Sequence, residues 1–175
     1  MDIQRVVTGL LDENCYILKK DGKCLIVDPG DEYNKIKKEI GECKILGILI
    51  THSHFDHIGA LRNFLTKKSI KIFKKSNLIE NKEYNIGDFV FKPIYTPGHS
   101  SDSVSFMFED SKALFVGDFV FKGSIGRCDL PTGSDSEMLN SLNKLKKINS
   151  EYTIYPGHYD ITTLKDELKN NPYLK

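Results

Sequence analysis

The stretch ITHSHFDHIG, residues 50–59, places His52, His54, Asp56 and His57 within six positions of a chain that has only five histidines. His52 and His54 lie two apart just past an aliphatic run, so in extended backbone they face the same side. Asp56 and His57 then begin a helix and can turn back toward the strand end. Imidazole and carboxylate together suit zinc, iron or manganese, and the lack of a cysteine in the cluster argues against a structural zinc knuckle. The other two histidines follow Pro-Gly turns, His99 in YTPGHSSDS and His158 in YPGHYD, and Asp118 follows a glycine in LFVGDFVF. Each of these three residues comes directly after a predicted strand. All five histidines are therefore expected on one rim, where loops present ligands on a rigid scaffold.

The elements that must position them are legible as a pattern. IQRVVTG, NCYILKK and KCLIVDPG read as strands, the last two joined at Asp21-Gly22. That hairpin sets Lys19 opposite Cys24 and leaves Cys15 further along. No CxxC pair occurs among the 4 cysteines, so free thiols are expected. EYNKIKKEIG predicts a short helix with a terminal glycine, KILGILIT a buried strand, and HIGALRNFLTKK a helix with Ile58, Leu61, Phe64 and Leu65 on one face. SIKIFKK, DFVFKPIYT, SVSFMFED, KALFVGD and YTIYPGH predict strands. SNLIENK, SDSEMLNSLNKLKKI and TTLKDELKNN predict helices, the second capped by a serine or aspartate. Strands in two blocks with interspersed helices imply two sheets covered by helices in one domain.

Composition narrows the function classes. The 175 residues are 39% hydrophobic and 28% charged, with 25 basic against 24 acidic side chains. A net charge of +1 gives no reason to expect a nucleic-acid or membrane partner. Lysine clusters at 35–38, 67–75 and 144–147 sit beside Ile, Leu and Phe at helical or alternating spacing and read as solvated faces. The N-terminus lacks a charged-then-apolar leader pattern, and ILGILI is too short to span a bilayer, so cytoplasm is the expected location.

Taken in order, THSHFDH, TPGH, GD and PGH resemble the signature of the metallo-β-lactamase-fold hydrolases, across nearly the whole chain. Asp118, with GDFVFKGSIGRCDLPTGS and the closing TTLKDELKNNPYL, is similar to the small glyoxalase II (hydroxyacylglutathione hydrolase) branch. The resemblance implies an αββα sandwich, two mixed sheets with helices outside. It implies two divalent transition-metal ions, zinc by preference with iron or manganese as alternatives. His52, His54 and His99 would hold one, Asp56, His57 and His158 the other, with Asp118 bridging. The implied reaction is attack of a metal-bridging hydroxide, oriented by Asp56, on the carbonyl of a small-molecule thioester such as an S-2-hydroxyacylglutathione. Asp28, in IVDPG, either holds a ligand histidine from behind or is a plain turn aspartate. Arg127, in SIGRCD, either binds a carboxylate of the substrate or is an ordinary loop arginine.

The chain departs from the family at Asp102, where glycine is usual, and at Tyr159, where a small residue is usual. It ends soon after His158, so residues 1–175 are expected to lack the helical glutathione-binding domain of the larger enzymes. Substrate identity is what these departures leave open. A mononuclear-iron persulfide dioxygenase on the same fold, a lactone or other ester hydrolase, a nuclease, and a metal-binding scaffold are the competing readings. The full ligand set favours hydrolysis, and the charge balance disfavours the nuclease. Oligomeric state is not readable from the sequence.

Overall fold

The computed structural model describes residues 1–65 and 70–175. The first sheet contains β1 (Asp2–Thr8), β2 (Glu13–Lys20), β3 (Lys23–Val27), β4 (Lys44–Leu49) and β5 (Lys71–Phe73), in that spatial order. The second contains β6 (Tyr84–Ile86), β7 (Phe89–Tyr95), β8 (Val104–Phe108) and β9 (Ala113–Gly117), then, beyond a small hairpin of β10 (Val120–Phe121) and β11 (Ser124–Ile125), β12 (Thr153–Pro156) and β13 (Thr162–Thr163). Its order is β13-β12-β9-β8-β7-β6. Both sheets are mixed: β3 pairs parallel to β4, and β9 parallel to β12.

Period-two alternation explains why the strands read as continuous apolar runs. Tyr16 and Leu18 of β2, Leu25 and Val27 of β3, and Phe106 and Phe115 of the second sheet form the core between the sheets. The intervening Cys15, Ile17, Cys24 and Ile26 face outward and pack under Ile36 and Ile40 of α1 (Tyr33–Ile40), beside Phe64. Leu114, Val116 and Ile154 do the same for the second sheet, against Met138 and Leu142 of α4 (Asp135–Leu145) and Leu164 of α5 (Leu164–Asn170). Each sheet is thus covered on both faces, which is the αββα sandwich. Ser134 caps α4 by accepting from Glu137 N–H, and Lys19 faces Cys24 across the Asp21-Gly22 turn. All four cysteines are free.

The predicted helix over 57–68 is corrected. Its described part is two single turns, α2 (Phe55–Ile58) and α3 (Leu61–Phe64). The break has a specific cause. Ala60 N–H donates to the carbonyls of Pro29 and Gly30, at 3.1 and 2.9 Å, and a side chain on Gly59 would lie 2.4 Å from the Gly30 oxygen. Docking on the Pro29-Gly30 turn replaces helical hydrogen bonding. Lys67 and Lys68 lie outside the described residues. SNLIENK is likewise corrected, from a helix to a 3₁₀ turn at Lys75–Asn77 followed by turns. The sequence pattern gives no sign of the β10–β11 hairpin, which closes at Lys122-Gly123 with Gly123 at φ 73°.

Candidate metal centre

The strand ends bring all five histidines together. The ring of His52 lies 4.6 Å from that of His54, 4.1 Å from His57 and 5.1 Å from His99, and His57 lies 5.4 Å from His158. The first four candidate ligand positions come from the β4 end and α2. His99 follows β7, Asp118 follows β9, and His158 follows β12. Asp118 sits among them, with Oδ1 3.3 Å from His57 Nε2 and Oδ2 3.5 Å from both His99 Nε2 and His158 Nε2. The ligand atoms form two groupings, His52–His54–His99 and Asp56–His57–His158, and a third, Asp28–His52–His57, that links them.

Four of the five rings are aimed from behind. His99 Nδ1 donates to the Arg127 carbonyl at 2.7 Å and His158 Nδ1 to the Leu11 carbonyl at 3.0 Å. His57 Nδ1 donates to Asp28 Oδ2 at 2.9 Å. Asp28 also accepts from Thr51, by its backbone N–H at 2.7 Å and by its hydroxyl, and that hydroxyl in turn lies 3.1 Å from His52 Nδ1. Asp28 is therefore more than a turn residue: directly and through Thr51 it orients one imidazole of each grouping. It stands at φ 47°, a left-handed backbone that aspartate tolerates better than most side chains. In these four rings, with Nδ1 occupied outside, Nε2 points inward, as in metal sites whose outer hydrogen bonds fix the tautomer; His54 instead turns Nδ1 inward, 2.9 Å from His99 Nε2.

The inner atoms fit metal ions. His52 Nε2, His57 Nε2 and Asp118 Oδ1 are buried side-chain atoms without a hydrogen-bond partner, an arrangement that costs free energy unless something accepts or donates there. The backbone makes room: a Cβ on Gly157 would lie 2.4 Å from Asp118 Oδ1 and 2.5 Å from His57 Cε1.

Charge is distributed unequally. Burial and the neighbouring His57 push His52 well below the usual histidine range, and burial with His99 lowers His54. Burial opposes the proton on His57 also, but the carboxylates of Asp118 and Asp28 overcome it and raise that ring well above the usual range. Burial is similarly outweighed at His158 by its bond to Asp56. The carboxyls of Asp56 and Asp118 are both lowered, against burial, by these same histidines. A divalent ion entering the Asp56–His57–His158 grouping must displace protons near neutrality, so affinity there falls as pH falls. His52 and His54 are already neutral. Zinc titrations at pH 7 in buffers of different ionisation enthalpy should resolve one event releasing few protons and one releasing about one or more.

Two participants carried no signal in the sequence. Thr51 looks like any strand-end threonine. Glu13 opens β2 yet is fully buried 3.9 Å behind His57 Nδ1, accepting from the Thr8 hydroxyl at 2.7 Å. Burial, partly offset by His57, pushes its carboxyl up to about 9. Arg127 does line the cavity above the histidines, but its Nε and Nη2 both bind Asp129, at 2.6 Å each.

This fold and histidine–aspartate centre define a class. A family model for the metallo-beta-lactamase superfamily matches residues 8–87 and 74–158, and the chain belongs to that superfamily. It is similar to a probable metallo-hydrolase, YqgX, of Bacillus subtilis (strain 168), 35% identical over 206 residues, 99% of this chain and 98% of the relative. It is also similar to the hydroxyacylglutathione hydrolase GloC of Haemophilus influenzae (strain ATCC 51907 / DSM 11121 / KW20 / Rd), 28% identical over 99% of this chain and 98% of the relative. Among solved structures, the BLEG-1 B3 metallo-beta-lactamase superposes with a TM-score of 0.93 at 29% identity, covering 99% of both chains. No helix among the described residues is long and apolar enough to cross a membrane.

Proposed function

We propose that the chain is a metal-dependent hydrolase of small-molecule thioesters, the acyl-thiol class that includes the S-2-hydroxyacylglutathiones. The observation that carries this reading is the convergence of seven candidate ligands: His54, Asp56, His99, Asp118 and His158 line an open cavity of about 710 Å³, and His52 and His57 are buried against them. Similarity to GloC supports the thioester assignment. His52, His54 and His99 would hold one divalent ion and Asp56, His57 and His158 the other, with Asp118 between them; zinc, iron and manganese all suit such ligands. Ions bound there supply a nucleophile at neutral pH and polarise the carbonyl.

The chain's own residues do the rest. Asp56 is half-buried and ionised, and its Oδ2, 3.2 Å from His158 Nε2, faces the cavity and can orient an attacking water and take its proton. In the reaction the C–S bond breaks, water's hydroxyl goes to the acyl carbon and its hydrogen to the departing sulfur. The substrate is a small molecule rather than nucleic acid or membrane, consistent with the near-zero net charge, and a cytoplasmic location belongs to the same proposal.

Chelation should abolish activity and added zinc, iron or manganese restore it, with elemental analysis giving two ions per chain. A panel of S-lactoylglutathione, an uncharged thioester, a lactone and a persulfide should show the thioesters turned over fastest. One iron per fully active chain, with persulfide oxidised and thioesters untouched, would replace hydrolysis by dioxygenation.

A further inference from the structure

The cavity walls above the ligands differ in character from its floor. Leu11, Phe55, Phe121, Ile125, Leu130 and Tyr159 line them. Three of these are displayed to solvent: Leu11 is 53% exposed, Phe55 75% and Tyr159 70%. Apolar side chains gathered at the mouth of a cavity mark a binding surface.

Tyr159 is held there by its backbone. It stands at φ 65°, unfavourable for a bulky residue, and its carbonyl accepts from Asn14 Nδ2 at 2.9 Å and Arg5 Nη1 at 3.2 Å. The ring meets Phe121 edge-on, centroids 5.2 Å apart. Phe55 is placed by the first turn of α2, between the ligands His54 and Asp56.

Unpaired cations do not line this cavity among the described residues. Its one arginine, Arg127, forks onto Asp129. Lys122 next to Phe121 pairs with Asp160 at 3.2 Å, and Arg5 lies in the adjoining cleft bonded to the Tyr159 carbonyl. A tripeptide thiol with two carboxylates finds little to bind it, whereas an apolar chain finds three aromatic rings.

We propose, building on the thioesterase reading, that the substrate's acyl group is apolar and of medium-chain or aryl size, lying across Phe55, Phe121 and Tyr159. Biological thiols are polar, so the apolar wall matches the acyl side. Complete burial of each methylene corresponds to about fourfold in kcat/KM, and an open wall buries less.

The test uses metal-loaded protein and N-acetylcysteamine thioesters from acetyl to octanoyl, with S-lactoylglutathione alongside. Expected is a rise of about two- to fourfold per methylene. Tyr159→Ser and Phe55→Ser should each reduce the octanoyl-to-acetyl ratio at least fivefold. The non-hydrolysable thioether S-octyl-N-acetylcysteamine should bind with a negative heat-capacity change and bind more weakly to both variants. A flat chain-length series, or S-lactoylglutathione preferred over octanoyl by more than tenfold, overturns the apolar-acyl assignment and leaves hydrolysis standing. No turnover of any thioester by metal-replete protein overturns the thioesterase reading itself.

Discussion

Asp118→Asn should lose far more than the roughly 10- to 100-fold that removal of an outer hydrogen-bond partner costs a metal site. The carboxylate lies within 3.5 Å of His57, His99 and His158, so it touches histidines of both ligand groupings. An amide keeps its shape but not its charge, and two divalent ions brought together need that charge neutralised. The variant should fold, because the substitution is isosteric and His57 and His158 can shed their protons. The check is elemental analysis and turnover beside circular dichroism. Two tightly bound ions and near-wild-type turnover would show that Asp118 does not bridge.

Gly157→Ala should be nearly as damaging although no chemical group is lost. Its Cβ would stand 2.4 Å from Asp118 Oδ1 and 2.5 Å from His57 Cε1, so both must give way or the backbone must shift. Misplacement by about 1 Å can cost a hundredfold in rate, and that is the expected loss here, with weaker metal binding in the Asp56–His57–His158 grouping. Gly41→Ala is the matched comparison: it sits at the end of α1 at φ 61° with open space around it. That change should lower thermal stability through backbone strain of about 1 kcal/mol and leave turnover alone. Equal turnover in the two variants would remove the steric argument.

How far these features could be read beforehand depends on the range over which each is determined. His52 and His54 share a side because strand alternation is local, and Asp56 and His57 follow because two residues suffice to start a helical turn. His99, Asp118 and His158 are brought in by parallel pairing of β9 with β12 and by the register of β7, which no local pattern encodes. They were legible only as strand-end turns and by the order of their motifs. The Asp28 carboxylate had two readings until its bonds to Thr51 and His57 decided between them. Glu13 could not be found at all, since its burial arises where β2 passes behind α2 and a glutamate opening a strand is ordinarily solvated. The single helix expected over 57–68 failed for a similar reason. Its apolar spacing was helical, but the Pro29-Gly30 turn takes the hydrogen bond of Ala60.

The candidate ligands are divided between the two layers of the sandwich, four positions at the end of β4 and three beyond β7, β9 and β12. Any ion held among them therefore acts as a rivet across the seam. A ligand that binds only the closed seam adds stability by mass action, about 2.7 kcal/mol at a hundred times its dissociation constant. The supply of metal in the surroundings then sets how tightly the halves stay fastened, and a shortage is felt as a loosened scaffold as well as an idle catalyst.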